Sequence, residues 1–247
     1  MAIDLPILLR AYAAGLFPMA DDRAAQSVFW VQPEKRAVLP LDGFHLSKSL
    51  RKLIRADRFT VTADKAFAQV ITLCAESAED RPTTWINEDI EEAFLRLHKL
   101  GLAHSVECWE PGEDGPRLVG GLYGLAMGRA FFGESMFSPA DNASKVAMAW
   151  LVARMRAGRF TLLDCQFMTS HLASLGAVEV NADVYSALLD DALAPGEGVP
   201  PDWGALDSLA LPSASLPPPS SPALPATLTV SEPVSGQLIA QLITQTS

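Results

Sequence analysis

The sequence predicts an α/β (α+β) fold, in which a mixed sheet is closed by a crossover helix and followed by a disordered Pro-rich tail. Three observations carry this. Ala103–Trp109, Arg117–Ala126 and the run after Met127-Gly128-Arg129 are strand-like and joined by short turns, the pattern of an antiparallel meander. ASKVAMAWLVARMRAG is then a long helical stretch ended by Gly158, and Phe160–Gln166 returns to strand character. Strand, helix and strand with short loops make a right-handed crossover, so the two flanking strands should be parallel. Over residues 195–247 the composition shifts to Pro, Ser, Ala and Leu, as in LPSASLPPPSSPALPATL, and no periodicity survives.

The elements follow in order. Leu5–Ala14 reads as a helix ended by Gly15 and Pro18, and Phe29–Leu39 as an extended segment broken by Pro33 and Pro40. Ser47 caps a helix that turns Leu50, Leu53 and Ile54 inward and Lys48, Arg51, Lys52 and Arg55 outward. Those four cations are either a solvated helix face or a phosphate-contacting patch, since Lys and Arg supply most sequence-independent affinity for nucleic acid. Asp64–Cys74 is a second helix, with Phe67, Val70 and Ile71 on one side. Asn87 caps a third, with Glu88 and Asp89 in its first turn and His98-Lys99 in its last, an order that suits the helix dipole. Asn142 or Asp141 caps the crossover helix. A short helix at Ser170–Leu175, a break at Gly176 and a helix near Asp183–Leu193 complete the fold, and Ser235–Thr244 is a marginal helix inside the tail.

At 247 residues the chain has room for a sizeable core. It contains no apolar run of the 18 or more residues needed to span a membrane, and its first residues lack the pattern of a signal peptide. Cys74, Cys108 and Cys165 are an odd, scattered set, as expected of reduced thiols in the cytoplasm. The formal net charge of −10 is unevenly spread. All 19 Lys and Arg lie at or before Arg159, alongside 20 acids, and nine acids follow with no base. The globular part is thus near neutral, and its charge does not exclude nucleic acid as a partner.

Two stretches concentrate the chemistry. GRAFFGESMFS, Gly128 to Ser138, places one carboxylate, Glu134, between Phe131-Phe132 and Met136-Phe137. LLDCQ, Leu162 to Gln166, places Asp164 in the next strand, with the Gln166 amide two residues on. An acid inside an apolar strand costs several kcal/mol unless it is paired or used. Alternation puts Phe132, Glu134 and Met136 on one face of their strand, and Leu162, Asp164 and Gln166 on one face of theirs, with Cys165 pointing away. No metal site is indicated, because His98 and His104 stand alone. Cys165 and His171 do not read as a nucleophile pair, and GGLYG lies within a strand rather than in a phosphate loop.

The meander plus crossover resembles the acetyltransferase (GNAT-like) fold, whose members bind a pyrophosphate at a glycine-rich loop opening the crossover helix. Here that loop is SPADNAS, which has no glycine and carries an acid, so a CoA-dependent enzyme is disfavoured. A closer resemblance runs from about Leu5 to Leu189. AYAAGLFPM, FWVQPEKRAVLP, FHLSKSL, TWIN, LHKLGLAHSVE, LVGGLYG, FFGESMFS, NASK, LLDCQF and HLASLGA together resemble the leucyl/phenylalanyl-tRNA–protein transferases, in the family's order.

That resemblance implies a small N-terminal domain (1–34), a GNAT-like catalytic domain (35–194) and an unrelated tail. It implies transfer of Leu or Phe, and also Met, from aminoacyl-tRNA (Leu-tRNA, Phe-tRNA) to the N-terminal Lys or Arg of acceptor proteins, marking them for degradation. It implies no metal, no CoA or other cofactor, and no membrane. Carried over by motif, Glu134, Asp164 and Gln166 form the catalytic constellation. Leu122, Phe131 and Met136 are then expected to hold the aminoacyl side chain, and Tyr12 and Trp85 to stack near the terminal adenosine. Met19 stands where the family often has a tryptophan, and the chain begins later than many members. The rival readings are a CoA-dependent N-acetyltransferase and a non-catalytic binder of RNA or peptide termini.

Overall fold

The structure, a computed structural model, describes residues 2–76, 83–195, 199–210 and 234–244. Helix α1 (Leu5–Ala13) starts where the Asp4 side chain accepts from the Ile7 amide at 2.9 Å. It leads into a separate two-stranded hairpin of β1 (Phe17–Met19) and β2 (Phe29–Val31), in which Met19 lies opposite Phe29. Then come β3 (Lys35–Val38), α2 (Lys48–Arg55), β4 (Thr60–Ala63), α3 (Phe67–Ala75) and α4 (Glu88–Lys99). Two of the three expected caps form: the Ser47 hydroxyl accepts from the Leu50 amide, and Asn87 accepts from Ile90. Each satisfies a donor that the first helical turn leaves without a partner.

The meander is β5 (Ala103–Glu110), β6 (Arg117–Met127) and β7 (Ala130–Phe137). The crossover is α5 (Ala143–Ala157), leading to β8 (Leu162–Asp164). A short α6 (Ser170–Ser174), β9 (Val178–Asn181) and α7 (Ala182–Leu193) follow. The seven-stranded sheet has the order β4-β5-β6-β7-β8-β3-β9. Among its described pairings, β7 with β8 is parallel and the others are antiparallel, as the crossover requires. Both faces of the sheet are covered. On one, α5 packs with α2 around Leu122, Phe131 and Leu163; on the other, α1, α3, α4 and α7 enclose Tyr123, Leu125 and Phe132.

Several local expectations are corrected. Asp64 has φ of 58° and lies outside α3, which begins at Phe67; just before it, β4 adds an edge strand that was not foreseen, as is β9. Asn142 takes the N-cap position of α5 with φ of 66°, but its side chain makes no capping bond; the Ser138 hydroxyl accepts from the Ser144 amide instead. Strand β8 ends at Asp164, because Gln166 turns to φ of 61°.

The expectation of a tail without structure fails over residues 199–210, and the marginal helix expected at Ser235–Thr244 is present and packed. Residues 199–210 pack on the core, with α8 (Ala205–Ala210) and the Trp203 ring stacked on His104 and Phe131 at 4.3 and 5.4 Å. Helix α9 (Gly236–Thr244) buries Ile239, Ala240 and Ile243 against α2 and α5. Aromatic and branched side chains at these two places bury enough surface to order the backbone that carries them. The Pro-rich centre, 211–233, lies outside the described residues. Among the described residues no helix is long and apolar enough to cross a membrane.

Candidate active site

The site opens where the parallel strands part. Strands β7 and β8 pair from Ala130 with Leu162 to Phe132 with Asp164, and Glu134 and Gln166 each lie two residues beyond that last pair. A bulge fixes how Glu134 points. Opposite β6, Gly124 pairs with Gly133 and Tyr123 with Ser135, which leaves Glu134 as the extra residue. Bulges re-aim a side chain and end regular alternation. The parity therefore changes along β7: Phe131 and Met136 share one core and Phe132 and Phe137 the other, in place of the expected Phe132–Glu134–Met136 face. Gly124 is required here, since a Cβ on it would lie 2.4 Å from Phe131 Cε1.

Glu134 is buried in an otherwise apolar wall, and one oxygen is held while the other is not. The Tyr12 hydroxyl donates to Oε1 at 2.8 Å, whereas Oε2 has no hydrogen-bond partner. Burial raises the Glu134 pKa to about 8, and the donors Tyr12 and Gln166 pull it only part of the way back. Gln166 Nε2 is itself buried without a bond of normal geometry, so its influence on Glu134 is that of a near neighbour rather than a formed hydrogen bond.

Asp164 is buried too, but unlike Glu134 it is fully partnered. It is fully buried and its acceptor directions are filled. Arg36 donates from Nε to Oδ1 at 2.9 Å and from Nη2 to Oδ2 at 2.7 Å; Tyr185 donates to Oδ2 at 2.7 Å, and the backbone N–H of Gln166 to Oδ1 at 2.8 Å. The Arg36 guanidinium is sandwiched between the rings of Phe17 and Tyr185, each 4.6 Å away.

A cavity of about 740 Å³ extends from Glu134 and Gln166. Its apolar wall includes Leu122, Met136, Met148, Leu151, Leu163 and Leu172, with Trp85 and Phe167 also lining it. Ser144 and His171 supply a polar stretch of the wall, 3.3 Å apart; burial, then nearby Lys145, lowers the His171 pKa. Cys165 also touches the cavity, because the turn at Gln166 ends the alternation, but burial pushes its thiol pKa upward and away from the reactive thiolate.

The structure thus brings together Glu134, Gln166, Leu122, Met136 and Trp85. It does not bring Asp164, Phe131 or Tyr12 to the cavity. Phe131 is fully buried against Trp203 and Gly124, so it offers no surface to an aminoacyl group. Tyr12 has no exposed ring face for an adenine; it packs edge-on against Phe132 and spends its hydroxyl on Glu134. Lys48, Arg51, Lys52 and Arg55 are exposed and line a separate depression of about 370 Å³ on α2. Arg36 and Tyr185 escaped the sequence reading. The signal for Arg36 was an arginine opening the apolar run of β3, where a buried cation needs an acid, the same logic that exposed Glu134. Among the described residues no group of three or more His, Cys, Asp and Glu is placed to hold a metal ion.

Residues 38–190 match the family model described as leucyl/phenylalanyl-tRNA protein transferase, and residues 1–34 match its N-terminal domain. A leucyl/phenylalanyl-tRNA–protein transferase of Rhizorhabdus wittichii is 56% identical over 257 residues, covering 100% of this chain and 99% of its own length. One from Zymomonas mobilis is 56% identical over 209 residues, covering 84% of this chain and 76% of its own. Among solved structures, FemX is similar at a TM-score of 0.47 and 10% identity, over 74% of this chain and 70% of that one. With two family models matched in sequence order and a relative aligned end to end, the chain belongs to the leucyl/phenylalanyl-tRNA–protein transferase family and is a transferase.

Proposed function

We propose that this chain moves Leu or Phe, and also Met, from Leu-tRNA or Phe-tRNA to the N-terminal Lys or Arg of an acceptor protein, creating a signal for degradation. The setting is the cytoplasm, where charged tRNA is made and used. The observation that carries the reading is Glu134: a carboxyl in the wall of an apolar cavity, with Oε2 buried and unpartnered. An apolar cavity suits a Leu, Met or Phe side chain, whose burial is worth roughly 1.5–3 kcal/mol. A lone carboxyl in that cavity suits an incoming amine. Trp85 is the ring assigned to the terminal adenosine, and the cationic face of α2 to tRNA phosphates.

In the reaction the acceptor ammonium first gives up a proton, the neutral nitrogen attacks the ester carbonyl, the bond to the ribose oxygen breaks, and the proton the nitrogen then loses ends on that oxygen as a free hydroxyl. An α-amino group has an ordinary pKa of roughly 7.7–8.0. Glu134, at about 8, matches it, so the proton can pass from ammonium to carboxylate at little cost. Holding the two substrates in register contributes more, roughly 7–11 kcal/mol. Gln166, with its amide beside Glu134, orients the amine. Asp164 has its acceptor positions filled within the chain and lies outside the cavity lining, so it acts through Gln166 rather than on the amine.

Labelled leucyl-tRNA and labelled acetyl-CoA, offered separately to one Arg-initiated peptide, test the reading. Leucyl peptide from the first and no product from the second is expected. An acetylated peptide, or peptide binding without product from either donor, overturns it.

A further inference from the structure

We propose that Arg36 is the positioning residue of this transfer: it clamps the two arms of the site, Tyr12–Glu134 and Asp164–Gln166, into one geometry. The inference rests on the transfer reading above and concerns a residue that reading does not use.

Arg36 is 1% exposed, and its donors divide between the two arms. Nη1 donates to the Gly15 carbonyl at 3.0 Å, holding the turn that ends α1, the helix carrying Tyr12. Tyr12 in turn holds Glu134 Oε1. Nε and Nη2 grip Asp164, whose Oδ1 accepts from the Gln166 backbone N–H. Gln166 is a non-glycine residue at φ of 61°, a conformation that persists only where the surroundings impose it. Here they do, because Ala37, next along β3, accepts from the Cys165 amide at 2.8 Å and donates to the Gln166 carbonyl at 3.0 Å. One side chain and one adjacent main chain therefore fix the turn from which the Gln166 amide reaches the cavity.

The rings of Phe17 and Tyr185 make this clamp planar. They confine the guanidinium to a slot between two faces, and Tyr185 also donates to Asp164. A lysine in the same place has neither the fork nor the plane. A buried ion pair is often no more stabilising than apolar packing of similar volume. The account in which Arg36 only stabilises the fold therefore leaves the two-arm geometry without a reason, whereas positioning supplies one.

The test compares Arg36→Lys, Tyr185→Phe, Asp164→Asn and the double variant Arg36→Lys/Asp164→Asn with wild type, in leucyl transfer to an Arg-initiated peptide. Arg36→Lys should lower kcat by about 10²-fold, the scale of a slight misplacement, with KM for leucyl-tRNA almost unchanged. Tyr185→Phe keeps the slot and removes one donor, so it should show a smaller loss, again in kcat. The double variant should be slower than Asp164→Asn alone by much less than the full Arg36→Lys loss, because the two share one carboxylate while Arg36 also holds the Gly15 carbonyl. Wild-type kcat in Tyr185→Phe, losses confined to KM or melting temperature, or single losses that multiply in the double variant overturn the clamp. If Arg36→Lys does not fold, Tyr185→Phe and Asp164→Asn decide. A wild-type enzyme that makes no leucyl peptide would instead overturn the transfer reading itself.

Discussion

The Tyr12 hydroxyl reaches Glu134 Oε1 at 2.8 Å across 122 positions of the chain, and both groups are buried. The bond makes the first helix part of the site without exposing it. Its energetic sign is specific: burial raises the Glu134 pKa to about 8, and the Tyr12 donor opposes that rise.

Tyr12→Phe removes the opposing donor, so the Glu134 pKa should climb further. Where the carboxylate must be ionised to take the amine's proton, the acid limb of the kcat/KM profile should move to higher pH. Stability supplies an independent reading. Glu134 holds its proton to about pH 8 when folded and only to its ordinary 4.5 when unfolded. Its protonated form thus favours the fold fully below pH 4.5, and the advantage is lost as pH rises through 8. Glu134→Gln does not titrate. It should melt above wild type at pH 8.5, with the gap closing toward pH 4.5, while transfer is lost. Melting curves that run parallel at every pH would show that Glu134 is not buried in this way.

Gln166 separates backbone from side chain. Glycine adopts φ of 61° freely, and alanine does not. Gln166→Gly should keep the wild-type melting temperature and lose transfer, because only the amide is gone. Gln166→Ala should lose transfer as well, with no added backbone cost, because glutamine already carries a Cβ in the left-handed conformation. Full activity in Gln166→Gly would remove the amide from the chemistry.

On α2, neutralising Lys48, Arg51, Lys52 and Arg55 should weaken tRNA binding and flatten its salt dependence, by up to about 0.7–0.9 in logarithmic slope for each phosphate that is no longer neutralised. Binding of the acceptor peptide should not change. An unaltered slope would return these residues to a solvated helix face.

What local reading can reach is visible in these same residues. The caps Ser47 and Asn87, the meander and the parallel crossover all follow from spacing over a few positions, and each is present. Glu134 and Gln166 stood out because a polar group in an apolar strand is costly wherever the strand ends up. The division of labour between Glu134 and Asp164 was out of reach. It depends on Arg36, 128 positions from Asp164, and on Tyr185 and Tyr12, brought together only by the sheet order β7-β8-β3 and its helices. Phe131 was misplaced for a different reason: it lies on the same side as Met136, but Trp203, from a stretch whose composition reads as unstructured, covers its ring.

The C-terminal segment is where composition misled most, and it gives the clearest stability test. A cut after Pro200 would be harmless if everything beyond the last catalytic helix were unstructured. In the fold it is not. Trp203 stacks on His104 and Phe131, and its indole N–H donates to Asp64 at 2.8 Å. Arg154, only 3% exposed, donates to the Trp203 carbonyl and to both oxygens of Asp207. Removing residues 201–247 strips the covering from Phe131, three positions before Glu134 on β7, and leaves Arg154 without its carboxylate. Loss of a buried ion's partner costs about 3–5 kcal/mol, reduced here because Asp207 is half exposed. With the uncovered aromatic surface and the lost packing of α9 added, a net loss of at least roughly 3 kcal/mol should lower Tm by about 6–12 °C or more. Trp203→Ala in the full chain should reproduce only part of that shift, because α9 stays packed on α2 and α5, and Asp207→Asn less, because its partner keeps the Trp203 carbonyl. Transfer per folded molecule should fall as well, since Phe131 supports the bulge. A truncated chain melting with the full-length protein would mean that this packing contributes nothing to the fold.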